Sequence, residues 1–278
     1  MARNATRIQT VQEDKPELTS PQQPATVEQP LTVNIPTNFV ELPSAGRYYP
    51  QEHPLHNQEV VEIKFMTTKE EEILNSPALV QRGLAIDRLI RSVLVNKSID
   101  SKTLLIGDKN AILVAARSDA YGSDYEIGVT CPVCAEKNEV LIDLSELSFK
   151  ENESDIKMSE KGTPLLTLPR TQAEVELRFL TGKDEEIITK FSKKAKKRGI
   201  ENNLTLQYKQ MIVSIDGDSS VIKISNFISD MPAFDSRYLR KKYHEACPDI
   251  DLGFDFSCQY CGEEQQMEVP ITVNFFWP

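Results

Sequence analysis

"SDYEIGVTCPVCAEKNEVLIDL" at residues 123–144 and "DIDLGFDFSCQYCGEEQQMEVPITVNFF" at 249–276 each set a Cys-x-x-Cys pair between two apolar alternations. In the first, Tyr125, Ile127 and Val129 alternate into the thiols, and Val140, Ile142 and Leu144 alternate out of them. Period-two alternation on both sides of a short turn predicts a β-hairpin with the cysteines at its tip. The second stretch has the same form. Four of the five cysteines are therefore grouped as Cys131 with Cys134 and Cys258 with Cys261, far apart in the chain.

Zinc takes four tetrahedral ligands and suits thiolate sulfur. A Cys-x-x-Cys turn lets two thiolates reach one ion while the N–H groups of the turn partly neutralise them. Two such turns supply a complete four-thiolate set, a pattern that resembles the zinc ribbon. Gly262, just after the second pair, permits the tight backbone this requires. The competing readings are buried small apolar side chains or a redox pair, but no thioredoxin-like β-α-β context surrounds either motif. Zinc is the expected ion. Iron is the alternative, since rubredoxin-type sites use the same spacing. A closed four-thiolate site has no open coordination position, so its expected role is structural.

Working outward, the chain has 278 residues, 27% of them charged, with a formal net charge of -10. That balance argues against sequence-blind binding to DNA or an anionic membrane. No apolar run approaches the roughly 20 residues that cross a bilayer. The first residues, "MARNATRIQTVQEDKPELTS", lack the apolar stretch of a secretory signal. A cytoplasmic site is expected, where thiols stay reduced and paired cysteines more often hold metal than form disulfides.

Residues 1–32, rich in Gln, Pro, Thr and Glu, read as a disordered N-terminal arm. Residues 33–147 read as a first α+β unit, 148–164 as a polar linker and 165–278 as a second α+β unit. "VEIKFMTTKEEEIL" from Val61 and "VELRFLTGKDEEII" from Val175 match in type position by position, each a strand leading into an acid-capped helix. With a thiol hairpin closing each half, duplication is the better reading. The predicted fold class is α+β, two related strand–helix units whose hairpin knuckles meet in one zinc-ribbon-like site.

Finer expectations follow. Thr67 or Thr68 caps the helix after the first strand, and Ser76-Pro77 opens a long amphipathic helix through "ALVQRGLAIDRLIRSVLVNK". Asp108 caps another, "KNAILVAARSDAYG". "NLTLQYKQMIVSI" reads as helix. Pro232 opens a further helix, with Phe234, Tyr238, Leu239 and Tyr243 on its buried side. The apolar end "FFWP" docks into a core or a partner. Cys247 reads as a buried thiol, His53 and His56 in "HPLH" as a solvated loop, and His244 as no ligand. Lys190 to Arg198 carries six positive charges in nine residues. It reads as a solvated helix face, with contact to nucleic-acid phosphate as the alternative. No phosphate-cradling glycine loop, nucleophile elbow or buried carboxylate pair is present, so no enzyme is expected.

The stretches "ELPSAGRYYP", "VEIKFMTTKEEEIL", "GLAIDRLIRSVL", "LLIGDKNAILVAAR", "YGSDYEIGVTCPVC" and the closing "FFWP" resemble the T4-type myophage baseplate hub proteins. More narrowly, they resemble the baseplate hub assembly protein family of T4-like phages. The resemblance covers residues 33–150 well and 165–278 more loosely. It implies a non-enzymatic part in building the hub of a contractile tail, in the cytoplasm of an infected bacterium. That part is either an assembly chaperone that leaves or a component that stays in the virion. The resemblance implies other hub and tail proteins as partners, with oligomerisation inside the hub, and it brings no catalytic residues. The rival reading from the residues is a zinc-ribbon nucleic-acid-binding regulator that uses 190–198.

Overall fold

Val40, Val61 and Ile63 are buried while the residues beside them, including the apolar Phe39 and Val60, are more exposed, so one face of each strand is buried. They lie in β1 (Thr37–Glu41) and β2 (Val60–Lys64), an antiparallel pair with Val40 opposite Val61. The computed structural model describes residues 34–150, 156–159, 162–196 and 203–277. The expected arm at 1–32 lies outside them, as do Lys197 and Arg198.

After β2 come α1 (Thr68–Asn75), α2 (Pro77–Arg82), α3 (Ala85–Val93) and α4 (Ile106–Tyr121). The single long helix expected from Ser76 onward is instead broken between α2 and α3. Gly83 has φ 69°, the left-handed turn that ends a helix. The first thiol hairpin follows as β3 (Asp124–Thr130) and β4 (Lys137–Asp143). In the 148–164 stretch, Phe149 bridges to Ile250. Nearby, β5 (Lys157–Met158) pairs with β6 (Pro164–Thr167), which pairs with β7 (Glu174–Leu177).

Next come α5 (Gly182–Lys196), α6 (Asn203–Met211) and β8 (Ile212–Ile215), which completes a four-stranded sheet in the order β5-β6-β7-β8. The expected helix through 212–215 is thus a strand. Its β-branched Ile-Val-Ser-Ile run pairs with β7, and that pairing overrides helical continuation. The chain ends with α7 (Val221–Asp230), α8 (Ala233–Ala246) and the second thiol hairpin, β9 (Gly253–Ser257) with β10 (Glu264–Glu268). On α8, Leu239 is buried and Tyr238 and Tyr243 pack inward. Phe234 is exposed, contrary to expectation, with the Arg170 guanidinium 5.1 Å from its ring.

Two local constructions recur. Lys64 Nζ lies 2.7 Å from Glu70 Oε1, and the Thr67 N–H donates to Glu70 Oε2 at 2.9 Å. Arg178 Nη2 lies 2.7 Å from Asp184 Oδ1, and the Thr181 N–H donates to Asp184 Oδ2 at 2.9 Å. Each residue stands as far from its counterpart as Val61 does from Val175. Asp108 is not the cap of α4. It sits inside the first turn, fully buried, and accepts from the Ser44 N–H at 3.0 Å and the Tyr49 hydroxyl at 2.7 Å. Asp235, at the same place in α8, accepts from the Arg170 and Thr171 N–H groups, both at 2.9 Å. In both cases a first-turn aspartate holds the "Leu-Pro" turn that follows β1 or β6.

One core gathers β1, β2, α3 and α4, and it also receives Phe179, Ile250, Val269, Phe275 and Phe276 from the second half. A second core gathers β6–β8 with α6–α8. The terminal aromatics dock within the chain itself, where Phe275 and Phe276 are 0% exposed. Buried Arg117 donates to the Phe275 and Gly122 carbonyls.

Candidate metal centre

Strand alternation on β3, β4, β9 and β10 turns Val129 and Phe256 inward, and these pack with Cys131 and Cys258 into a small third core beneath the thiols. The two hairpin tips are built alike. The Cys131 N–H donates to the Glu136 carbonyl at 2.9 Å and the Ala135 N–H to the Cys131 carbonyl at 2.9 Å. The Cys258 N–H donates to the Glu263 carbonyl at 2.8 Å and the Gly262 N–H to the Cys258 carbonyl at 2.9 Å. The residue after each second cysteine is left-handed, Ala135 at φ 60° and Gly262 at φ 74°.

All four cysteines are free thiols, and their sulfurs lie within 4.8 Å of one another. Cys131 Sγ is 3.7 Å from Cys261 Sγ, and Cys134 Sγ is 3.6 Å from Cys258 Sγ. Sulfurs bound tetrahedrally at about 2.3 Å from one ion stand about 3.8 Å apart, so these spacings are compatible with metal binding. Cys131 and Cys258 are buried, Cys134 is half-buried and Cys261 is exposed.

Charge follows the geometry. Burial opposes ionisation of Cys258, but the Cys261 and Tyr260 N–H groups and neighbouring thiols outweigh it, bringing the thiol down to about 6. The Glu136 N–H favours the Cys134 thiolate, but burial and the other sulfurs outweigh it and push that thiol up to about 12. One thiolate forms readily and raises the cost of a second beside it. A bound cation would relieve that repulsion.

Asn138 carries no signal that singles it out in the sequence. It is buried, donates to Cys258 Sγ at 3.6 Å and to the Glu136 carbonyl at 3.1 Å, and accepts from the Gln259 N–H at 2.9 Å. It clasps one hairpin to the other and orients a sulfur, as partners of metal ligands do. The nearest thing to a clue is a polar residue on the inward register of β4, in line with Val140 and Ile142.

The other candidates lie elsewhere. "HPLH" is a packed loop, not a solvated one. His53 stacks on Tyr49 at 4.3 Å and contacts Thr103 at 2.8 Å, and His56 meets the Tyr49 carbonyl at 2.7 Å. His244 lies near Lys150 and Glu268. Cys247, expected as a buried thiol, is half-buried, and burial pushes its thiol up to about 12, which disfavours the thiolate. In the basic run, Lys190 pairs with Glu186, and Phe191 is 52% exposed with Lys194 Nζ 5.7 Å from its ring.

A family model described as T4 bacteriophage base plate protein matches residues 36–277. The chain belongs to that family. No curated protein and no solved structure matches it. Membership in the T4 base plate protein family makes this a phage baseplate structural protein, a component of the tail that contacts other tail proteins. The match spans both thiol hairpins. No helix among the described residues of this T4 base plate family member is long and apolar enough to cross a membrane.

Proposed function

We propose that the protein is a non-enzymatic structural or assembly component of the hub of a contractile-tail baseplate, and that one structural zinc ion in Cys131, Cys134, Cys258 and Cys261 locks two related halves into a rigid adaptor. The carrying observation is the convergence of two hairpin tips more than a hundred residues apart in a family-matched chain into one cluster of four sulfurs with spacings compatible with metal binding. Duplication is supported by the recurring acid–base–threonine and aspartate–turn constructions. Such an adaptor acts by contact with other hub and tail proteins, as a monomer or an oligomer, during assembly in the host cytoplasm. Zinc is favoured over iron because a closed structural thiolate set needs no redox chemistry.

Quantitative mass spectrometry of purified virions, with elemental analysis of the native reduced protein, tests both parts. We expect one zinc per chain and a fixed stoichiometry with hub proteins that survives high salt. Absence of metal removes the staple. Steeply salt-dependent binding to DNA or RNA in place of baseplate partners replaces the adaptor with the nucleic-acid regulator.

A further inference from the structure

A cavity of about 590 Å³ opens between the loop after β1 and the start of α5, and no described carboxylate lines it. Its charged lining consists of Arg47, Lys102, Arg178 and Lys183. On a chain with net charge -10, this is a local reversal of the field. The walls are aromatic. Tyr48 and Phe179 meet edge to face with centroids 4.7 Å apart, and Tyr49 is held by its hydrogen bonds to Asp108 and the Leu105 N–H.

The available charge can be counted. Arg178 is engaged by Asp184 through both guanidinium nitrogens, at 2.7 and 2.8 Å, and Lys102 by Glu186 at 2.7 Å. Neither Arg47 nor Lys183 enters an ion pair among the described residues. His53 adds no positive charge. Its Nδ1 accepts the Leu55 N–H, so Nε2 donates to Thr103, and burial lowers its pKa. The cavity thus offers two uncommitted cations beside an aromatic wall.

We infer that this cavity binds an acidic peptide segment, with carboxylates on Arg47 and Lys183 and an apolar side chain against Tyr48 and Phe179. Two free cations match one or two carboxylates, whereas a nucleoside triphosphate would carry more charge than they neutralise. At the start of α5 the Thr181 N–H already donates to Asp184 and the Gly182 N–H to the Leu104 carbonyl, and the Asp184 carboxylate adds negative charge where a phosphate would sit. A volume of this size is in the range that encloses a few side chains. Choosing a peptide over a free metabolite rests on the baseplate reading, in which the ligand is an acidic stretch of a neighbouring tail protein.

The test uses the full-length, metal-loaded protein and a fluorescein-labelled peptide, Gly-Asp-Phe-Glu-Gly-Ser, followed by anisotropy at low salt. Saturable binding is expected, and R47E/K183E should weaken it by about tenfold or more, equivalent to about 1.4 kcal/mol. R237E/K241E, on the outer face of α8, should leave binding intact, and both variants should keep wild-type Tm and metal content. The inference is overturned by no saturable binding, by equal binding of the Asn/Gln version of the peptide, or by indifference to the Arg47/Lys183 reversal. Tighter binding of ATP at the same site would also overturn it. None of these outcomes bears on virion composition, so the two readings fail separately.

Discussion

At the residue scale, Ala135 and Gly262 perform one task with different side chains. Each follows the second cysteine of its pair, and each lies in the left-handed region, which costs a residue with Cβ about 1–2 kcal/mol. A Cβ added at Gly262 meets nothing within 4 Å, so the effect of Gly262→Ala is purely conformational. We expect that substitution to destabilise the protein by about 1 kcal/mol. Ala135→Gly should stabilise it by somewhat less, because glycine gives back entropy in the unfolded chain. Urea unfolding of the metal-loaded protein measures both, and equal effects of the same sign would show that the two knuckles are not equivalent. Asn138 belongs to the same scale. Its role depends on a sulfur and an amide about 120 residues further along the chain, a partner no local pattern can announce.

At the element scale, the strand–turn–helix unit holds a carboxylate that senses acid. Burial works against the Glu70 carboxylate, but hydrogen bonds from Lys64, Ser92 and Thr67 outweigh it and hold it from its ordinary 4.5 down to about 2. A depressed carboxylate adds stability that is complete above the ordinary value and is lost as pH falls through the folded one. Stability should therefore fall between about pH 5 and pH 2, and Glu70→Gln should flatten that limb while lowering stability at about pH 7. Thermal melts across this range check it, and an unchanged slope would remove Glu70 from the account. Asp184 is depressed in the same direction, by Arg178 and Thr181 acting against burial.

These units were legible in the sequence because strand alternation and acidic first turns are local signals. Both thiol hairpins and the match between Val61 and Val175 were readable for the same reason. The strand at 212–215 was not, because Ile212, Val213 and Ile215 extend the apolar spacing of α6 and only β7 decides the matter. Asp108 reads as a cap by type, yet its partners are Ser44 and Tyr49, brought close by tertiary folding. The break at Gly83 was announced by its glycine and obscured by the apolar periodicity running through it.

At the scale of the whole molecule, the docked C-terminal aromatics and the thiol site each join segments distant in the chain, and they should fail differently. Phe275 and Phe276 sit in the first core with Leu89, Ile112 and Leu113, where burial of large aromatics is worth several kcal/mol. The thiol site rests on the small cluster around Val129 and Phe256 and on the Asn138 clasp. Two short hairpins with no other sheet partner among the described residues are marginal in water, so a metal bound there would supply much of their order. Chelation should then release one zinc per chain and raise hydrogen exchange in residues 124–143 and 253–268 together. The helix at 106–121, anchored by Arg117 to the Phe275 carbonyl, should keep its protection. Cys131→Ser and Cys258→Ser should each reproduce this pattern, because losing either thiolate opens the same site. Exchange that rises in one hairpin alone would mean that the two pairs do not share an ion.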